Sequence, residues 1–151
     1  MRALAIDLDG VLGDTRPLWQ GWLDSAAGKL EVNPSALSSD RGAAAEELDR
    51  LGAGNWRTLL ERFAEDRAPV YLRPHADVCA ALRRLAAAGA RIGVFTDGPE
   101  PLARVALAQL GAARRVELLE SGAGALERLR VQLGDDAVVV RSRDELRRAA
   151  A

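Results

Sequence analysis

The chain's 151 residues suit one domain, or one domain carrying a small insert, and 48% hydrophobic and 28% charged content supply an ordinary globular core. A formal net charge of −1 offers no basic surface for nucleic acid and no attraction to an anionic membrane, and no apolar run approaches transmembrane length. Aromatics make up only 4%, so the core must come from Ala, Leu and Val, and the basic charge is almost all arginine, with Lys29 the single lysine.

Residues 3–8 read as a buried parallel strand that runs into Asp7, Asp9 and Gly10. The segment from Arg16 to about Ala68 is helical in pattern. Pro17 can open a helix carrying Leu18, Trp22 and Leu23, Asn33-Pro34-Ser35 breaks it, and Asp40 is a plausible N-cap for a helix over Ala43 to Leu51. Asn55 can cap a third helix with Trp56, Leu59, Leu60 and Phe63 as its stripe. From Val70 onward β and α alternate. Helices are predicted over Pro74–Ala88, Pro99–Leu110 and Gly124–Leu133, strands over Arg91–Thr96, Val116–Leu119 and Ala137–Val140, and a last short helix from Ser142 or Asp144. The expected class is therefore α/β: a Rossmann-like three-layer sandwich with a parallel sheet, residues 1–13 and 71–151, and a small all-helical cap inserted after the first strand, residues 14–70.

Cys79 is the single cysteine, so no intrachain disulfide can form, and it reads as a small hydrophobe on a helix. His75, the single histidine, follows Pro74 at a helix start and reads as a capping or surface residue. The first residues lack a charged segment followed by an apolar one, which gives a cytoplasmic expectation. Trp19, Trp22 and Trp56 all fall in the insert and read as its small core; Arg41 and Arg57 flank helix starts there and read as solvated charge, although a cap residue could select a leaving group.

Chemistry concentrates where the strands end, because parallel sheets bind ligands at their carboxyl edge. Alternation along a strand places Asp7 and Asp9 on one side, flanking Leu8. Two carboxylates so close repel unless a cation or a shared proton offsets the charge. The pair reads as a Mg²⁺-assisted site, with Asp7, the deeper of the two, as nucleophile and Asp9 as general acid/base. Thr96 ends the second strand with a hydroxyl, and the backbone N–H groups of Asp97 and Gly98 can bind phosphate oxygens. An insert after the first strand sits over this edge and is placed to act as a lid.

DLDGVLGDT at 7–15, a helical insert and then FTDGP at 95–99 resemble the haloacid dehalogenase superfamily, in the branch with a helical cap after the first strand. The stretch from Leu72 to Gly111 is similar to phosphoglycolate-phosphatase-type and β-phosphoglucomutase-type members. The resemblance implies a Rossmann-like core, Mg²⁺ and phosphoryl transfer from a small phosphorylated metabolite. By position it implies Asp7 as nucleophile and metal ligand, Asp9 as acid/base that also ligates through its carbonyl, and Thr96 as the phosphate holder. Two expected pieces are missing. The family has a lysine after the third strand, where Glu120 to Arg128 holds none, and an acid after the fourth strand, where Arg141 stands with Asp144 and Glu145 further on.

Arg128, Arg141 and Asp144 are the candidate substitutes, and Glu120 is a further acid within reach of the edge. Two functions follow. One is a Mg²⁺-dependent phosphohydrolase of small phosphoesters working through an aspartyl phosphate, with activity reduced by the missing groups. The other is a non-catalytic pseudo-phosphatase that binds an anion or a partner, with Arg141 pointing at Asp7 in place of the metal-ligand acid. A response-regulator receiver fits poorly, since it needs a lysine ending a later strand and has no helical insert.

Overall fold

The computed structural model describes residues 2–151. Four strands, β1 (Ala3–Asp7), β2 (Arg91–Thr96), β3 (Leu118–Ser121) and β4 (Val138–Val140), form one parallel sheet in the order β3-β2-β1-β4. Ile6 stands opposite Val94 and Val140, and Asp7 opposite Phe95, so the strand ends are level along one edge. The two faces of the sheet bury different residues. Leu4, Ile6, Ile92, Val94 and Val140 join the larger apolar cluster under the helices α4 (Ala76–Ala87), α5 (Glu100–Gln109) and α7 (Arg143–Ala150). Ala5 and Phe95 face the other way, against Ala125 and Leu129 of α6 (Ala125–Leu133). Helices on both faces make three layers, which is why these strands read as unbroken apolar runs.

The α6 layer depends on one missing side chain. A Cβ at Gly93 would lie 2.6 Å from Leu129 Cδ1 and 3.0 Å from Leu133 Cδ1. Gly93→Ala should therefore lower stability by about 1–3 kcal/mol, the usual range for overpacking a tight core. A shift in the urea midpoint checks this; an unchanged midpoint would mean that α6 slides outward at no cost.

Between Gly13 and α4 the regular structure is helical only: α1 (Arg16–Leu30), α2 (Arg41–Arg50), α3 (Trp56–Tyr71) and a short 3₁₀ turn at Pro34–Ala36. Trp19, Trp22 and Trp56 pack on one another, with ring centroids 5.3, 5.9 and 6.4 Å apart. Asp40 caps α2 through its carboxylate, which accepts from the Ala43 N–H at 3.1 Å, and Ser142 caps α7 by accepting from the Glu145 N–H at 3.1 Å. The apolar cluster is continuous from Leu4 and Ile6 through Leu102 and Ala106 to Leu60 and Trp22, so the helical segment shares its core with the sheet layer.

Four expectations need correction. β1 stops at Asp7, and Leu8–Leu12 form a wide turn closed by the Gly13 N–H on Leu8 O at 3.2 Å, with Gly10 at φ +102°. Asp9 thus lies in that turn and not on the strand, and strand alternation does not place it. β3 runs Leu118–Ser121, two residues later than predicted, because a 3₁₀ turn at Ala113–Arg115 intervenes and pairing starts with the Glu117 N–H on Ile92 O. α2 begins at Arg41, and Asn55, before α3, gives no side-chain cap.

Candidate functional site

The carboxyl edge of the sheet opens into a cleft of about 470 Å³ whose walls include Asp7, Thr96, Asp97, Gly122 to Gly124 and Arg141. Asp7 ends β1 and is half-buried. Burial, then the nearby Asp9 charge, raise its carboxyl above the usual range, and Arg141 offsets only part of this. An Asp7 oxygen lies 3.6 Å from a guanidinium nitrogen of Arg141, which also sits 5.5 Å over the Phe95 ring. Arg141 therefore points at Asp7, the orientation expected of the pseudo-phosphatase reading.

Asp9 is fully occupied. Oδ1 accepts from the Thr15 N–H at 2.8 Å and from the Thr15 hydroxyl at 2.7 Å. Oδ2 accepts from the Thr96 hydroxyl at 2.9 Å and from Arg41 Nη2 at 2.5 Å. Four donors fill the four lone-pair positions of a carboxylate. Three of them come from around the sheet edge and α1; the fourth is a guanidinium from α2.

Arg41 overturns the reading of it as solvated charge. Its side chain is 3% exposed. Besides Asp9, it donates to Thr15 Oγ1 at 2.7 Å, to Asp97 Oδ1 from both Nε and Nη2, and to Thr96 Oγ1 at 3.3 Å, while its backbone N–H reaches Asp97 Oδ2 at 3.2 Å. Asp97 is pushed up by burial, but the Arg41 hydrogen bonds and charge outweigh this and leave it below the usual carboxylate range. Two glycines make the seat possible. A Cβ at Gly98 would lie 3.0 Å from Arg41 Nη1, and one at Gly42 would lie 2.7 Å from the Ala123 backbone nitrogen. α2 thus rests its first turn directly on the loops after β2 and β3.

Of the groups expected to hold phosphate, the Thr96 hydroxyl and the Gly98 N–H are already engaged. The single hydroxyl proton of Thr96 goes to Asp9, and the Gly98 N–H donates to Thr96 Oγ1 at 3.2 Å. Asp97 lines the cleft with its carboxylate tied to Arg41. The candidate substitutes divide. Arg141 is at the site. Arg128 instead clasps its own loop: it donates to Glu120 at 2.8 Å and to the carbonyls of Ser121 and Ala123. Asp144 is exposed and pairs with Arg147 at 2.6 Å, so it reaches no metal position. Glu120, the other acid in view, is held by Arg128 and Gln132. Trp19, Trp22 and Trp56 are core, as expected, and Arg57 is a half-exposed partner of Asp49.

These donors do not fit a Mg²⁺ site. Mg²⁺ needs hard oxygen ligands in near-octahedral array, usually with one or two carboxylates free to bind it. The Asp9 carboxylate has no free lone pair, Asp97 is paired, the residue directly after β4 is Arg141 and not an acid, and its guanidinium faces Asp7 at 3.6 Å. Among the described residues no group of three His, Cys, Asp or Glu side chains could hold an ion.

Comparison with known proteins agrees with the architecture. Among curated proteins nothing matches the chain in sequence. Solved structures resemble it at low identity. CbbY from Rhodobacter sphaeroides in complex with phosphate superposes with a TM-score of 0.67 at 15% identity, over 97% of this chain and 83% of that one. A HAD phosphatase from Thermococcus onnurineus gives 0.53 at 18%, over 99% and 97%, and β-phosphoglucomutase from Clostridium difficile gives 0.54 at 16%, over 80% and 61%. At these identities the likeness is one of fold. The model of the haloacid dehalogenase-like hydrolases matches residues 1–140, and with the Asp7 to Thr15 turn and Thr96 in place the chain belongs to that family.

Proposed function

We propose that the chain hydrolyses a small phosphoester through Asp7. The supporting observation is the position of Asp7: it ends the inner strand β1 on the wall of the cleft, and its one ion-pair partner among the described residues is a loose one, 3.6 Å away. In this reading an Asp7 oxygen attacks phosphorus, the phosphorus–oxygen bond to the leaving group breaks, and Asp9 gives that oxygen a proton. Water then attacks the phosphorus of the aspartyl phosphate, Asp9 takes its proton, and inorganic phosphate leaves with Asp7 restored. Asp9 cannot do this while Arg41 fills its last lone pair, so the helical segment 14–70 acts as a lid whose Arg41 must withdraw for each turnover.

The test is hydrolysis of a generic aryl phosphate by the wild type and by Asp7→Asn. The wild type is expected to turn over, with an acid limb above the ordinary aspartate range because burial raises Asp7. Asp7→Asn is expected to lose turnover by about a thousandfold or more, the scale on which removing a covalent nucleophile acts. Equal rates would remove Asp7 from the reaction. The saturation of Asp9 favours a second reading, a non-catalytic protein that holds an anion in the same cleft. Anion binding with no turnover in either protein would select it.

A further inference from the structure

We infer that Arg141 does the electrostatic work of a divalent cation in this cleft, so that the chain binds a phosphate-type anion without metal. A phosphate brought against Asp7 adds negative charge to a wall that already carries Asp7 and Asp97. Something positive must offset it. The Arg41 charge is spent on Asp9 and Asp97, Arg128 is turned onto Glu120 and its own loop carbonyls, and Arg143 donates to Val11 O at 3.0 Å. Arg141 remains. Its backbone N–H is fixed by Glu145 at 3.2 Å, its guanidinium is steered over Phe95 and it lines the cleft. A guanidinium has five donors in a planar fork. One faces Asp7 across a gap too long for a hydrogen bond, which leaves the fork able to bridge the Asp7 carboxylate and an incoming anion.

A guanidinium can hold an oxyanion as a cation does, but it cannot exchange for one. Metal should therefore be neither required nor accepted. The inference rests on the phosphoester reading for its choice of anion, yet it is tested without turnover, so a failed hydrolysis assay leaves it standing and a failed binding experiment leaves Asp7 untouched.

The probes are inorganic phosphate by titration calorimetry and Mn²⁺ by spin resonance, both on the intact chain. Phosphate is expected to bind with the same affinity, within about twofold, in EDTA and in millimolar Mg²⁺, and Arg141→Gln should weaken it by about tenfold or more, the loss expected for one charged hydrogen bond. The wild type should leave the Mn²⁺ signal free. Arg141→Asp, which returns an acid to the end of β4, should bind Mn²⁺ at least about tenfold more tightly than the wild type. Phosphate binding that appears only with Mg²⁺, a wild type that takes up Mn²⁺ as well as Arg141→Asp does, or an Arg141→Gln that binds phosphate normally would each overturn the inference. The wild-type measurements carry it even if a variant folds poorly.

Discussion

Arg41→Ala is expected to lower the free energy of unfolding by about 3 kcal/mol, the low end of the range for breaking a buried ion pair from one side. Arg41 and Asp9 have side chains 3% and 10% exposed, and their closest approach is 2.5 Å. Losing the guanidinium leaves Asp9 with its two Thr15 bonds and its Thr96 bond, which is why the cost falls at the low end. Asp97, with a side chain 46% exposed, adds little, because solvent screens it.

Arg41→Lys should recover less than half of the loss, since one ammonium cannot span Asp9, Asp97 and Thr15 as the planar fork does. A urea titration reads the effect, and Arg57→Ala is the control: its pair with Asp49 is half-exposed and should cost under about 1 kcal/mol. The pH dependence has a definite sign. Arg41 holds Asp97 below its usual range, so this stability is present above pH 3.8 and is lost as pH falls below it. Arg41→Ala should therefore lose less stability than the wild type over that acid window. A variant as stable as the wild type would mean that the buried cluster contributes nothing to holding α2 on the sheet edge.

Arg41 also shows where sequence reasoning stops. Hydrophobic runs and turn residues located the strands and the helices, because each of those signals is local. Arg41 gave no such signal: a polar residue after Asp40 at a helix start looks like surface, and its burial comes from Asp9 and Asp97, 32 and 56 residues away in the chain. Gly42 was equally silent, and Gly98 was singled out only for its N–H, although at both another chain segment passes within 3.0 Å of where a Cβ would be. Asp9 was placed near the site for the wrong reason, since the turn over Leu8–Leu12 and Gly10 carries it there and strand alternation does not. Arg141 at Asp7 was legible from its place after β4, whereas the pairing of Asp144 with Arg147 and of Glu120 with Arg128 was not.

Trp56→Ala should cost about 3–5 kcal/mol, the range for truncating a large buried aromatic. Trp56 is 1% exposed and stands edge-on to Trp19 and tilted to Trp22. Its indole N–H also donates to Asp49 Oδ1 at 2.9 Å, which ties the start of α3 to the last turn of α2. α2 is the helix that seats Arg41, so the loss should pass along it and expose the loop before α2 to proteolysis at lower urea. Trp56→Phe separates the two contributions: it keeps an aromatic core residue, loses the donor and should cost about 1–2 kcal/mol. Acid titration checks the donor directly. Arg57 and Trp56 together hold Asp49 down to about 2 from 3.8, so its contribution is present above pH 3.8 and disappears as pH falls to about 2. With Asp49 half-exposed that contribution is under about 1 kcal/mol. In Trp56→Phe the Arg57 contact remains and the acid loss should shrink without vanishing. An unaltered acid limb would show that the indole bond has no part in joining α3 to α2.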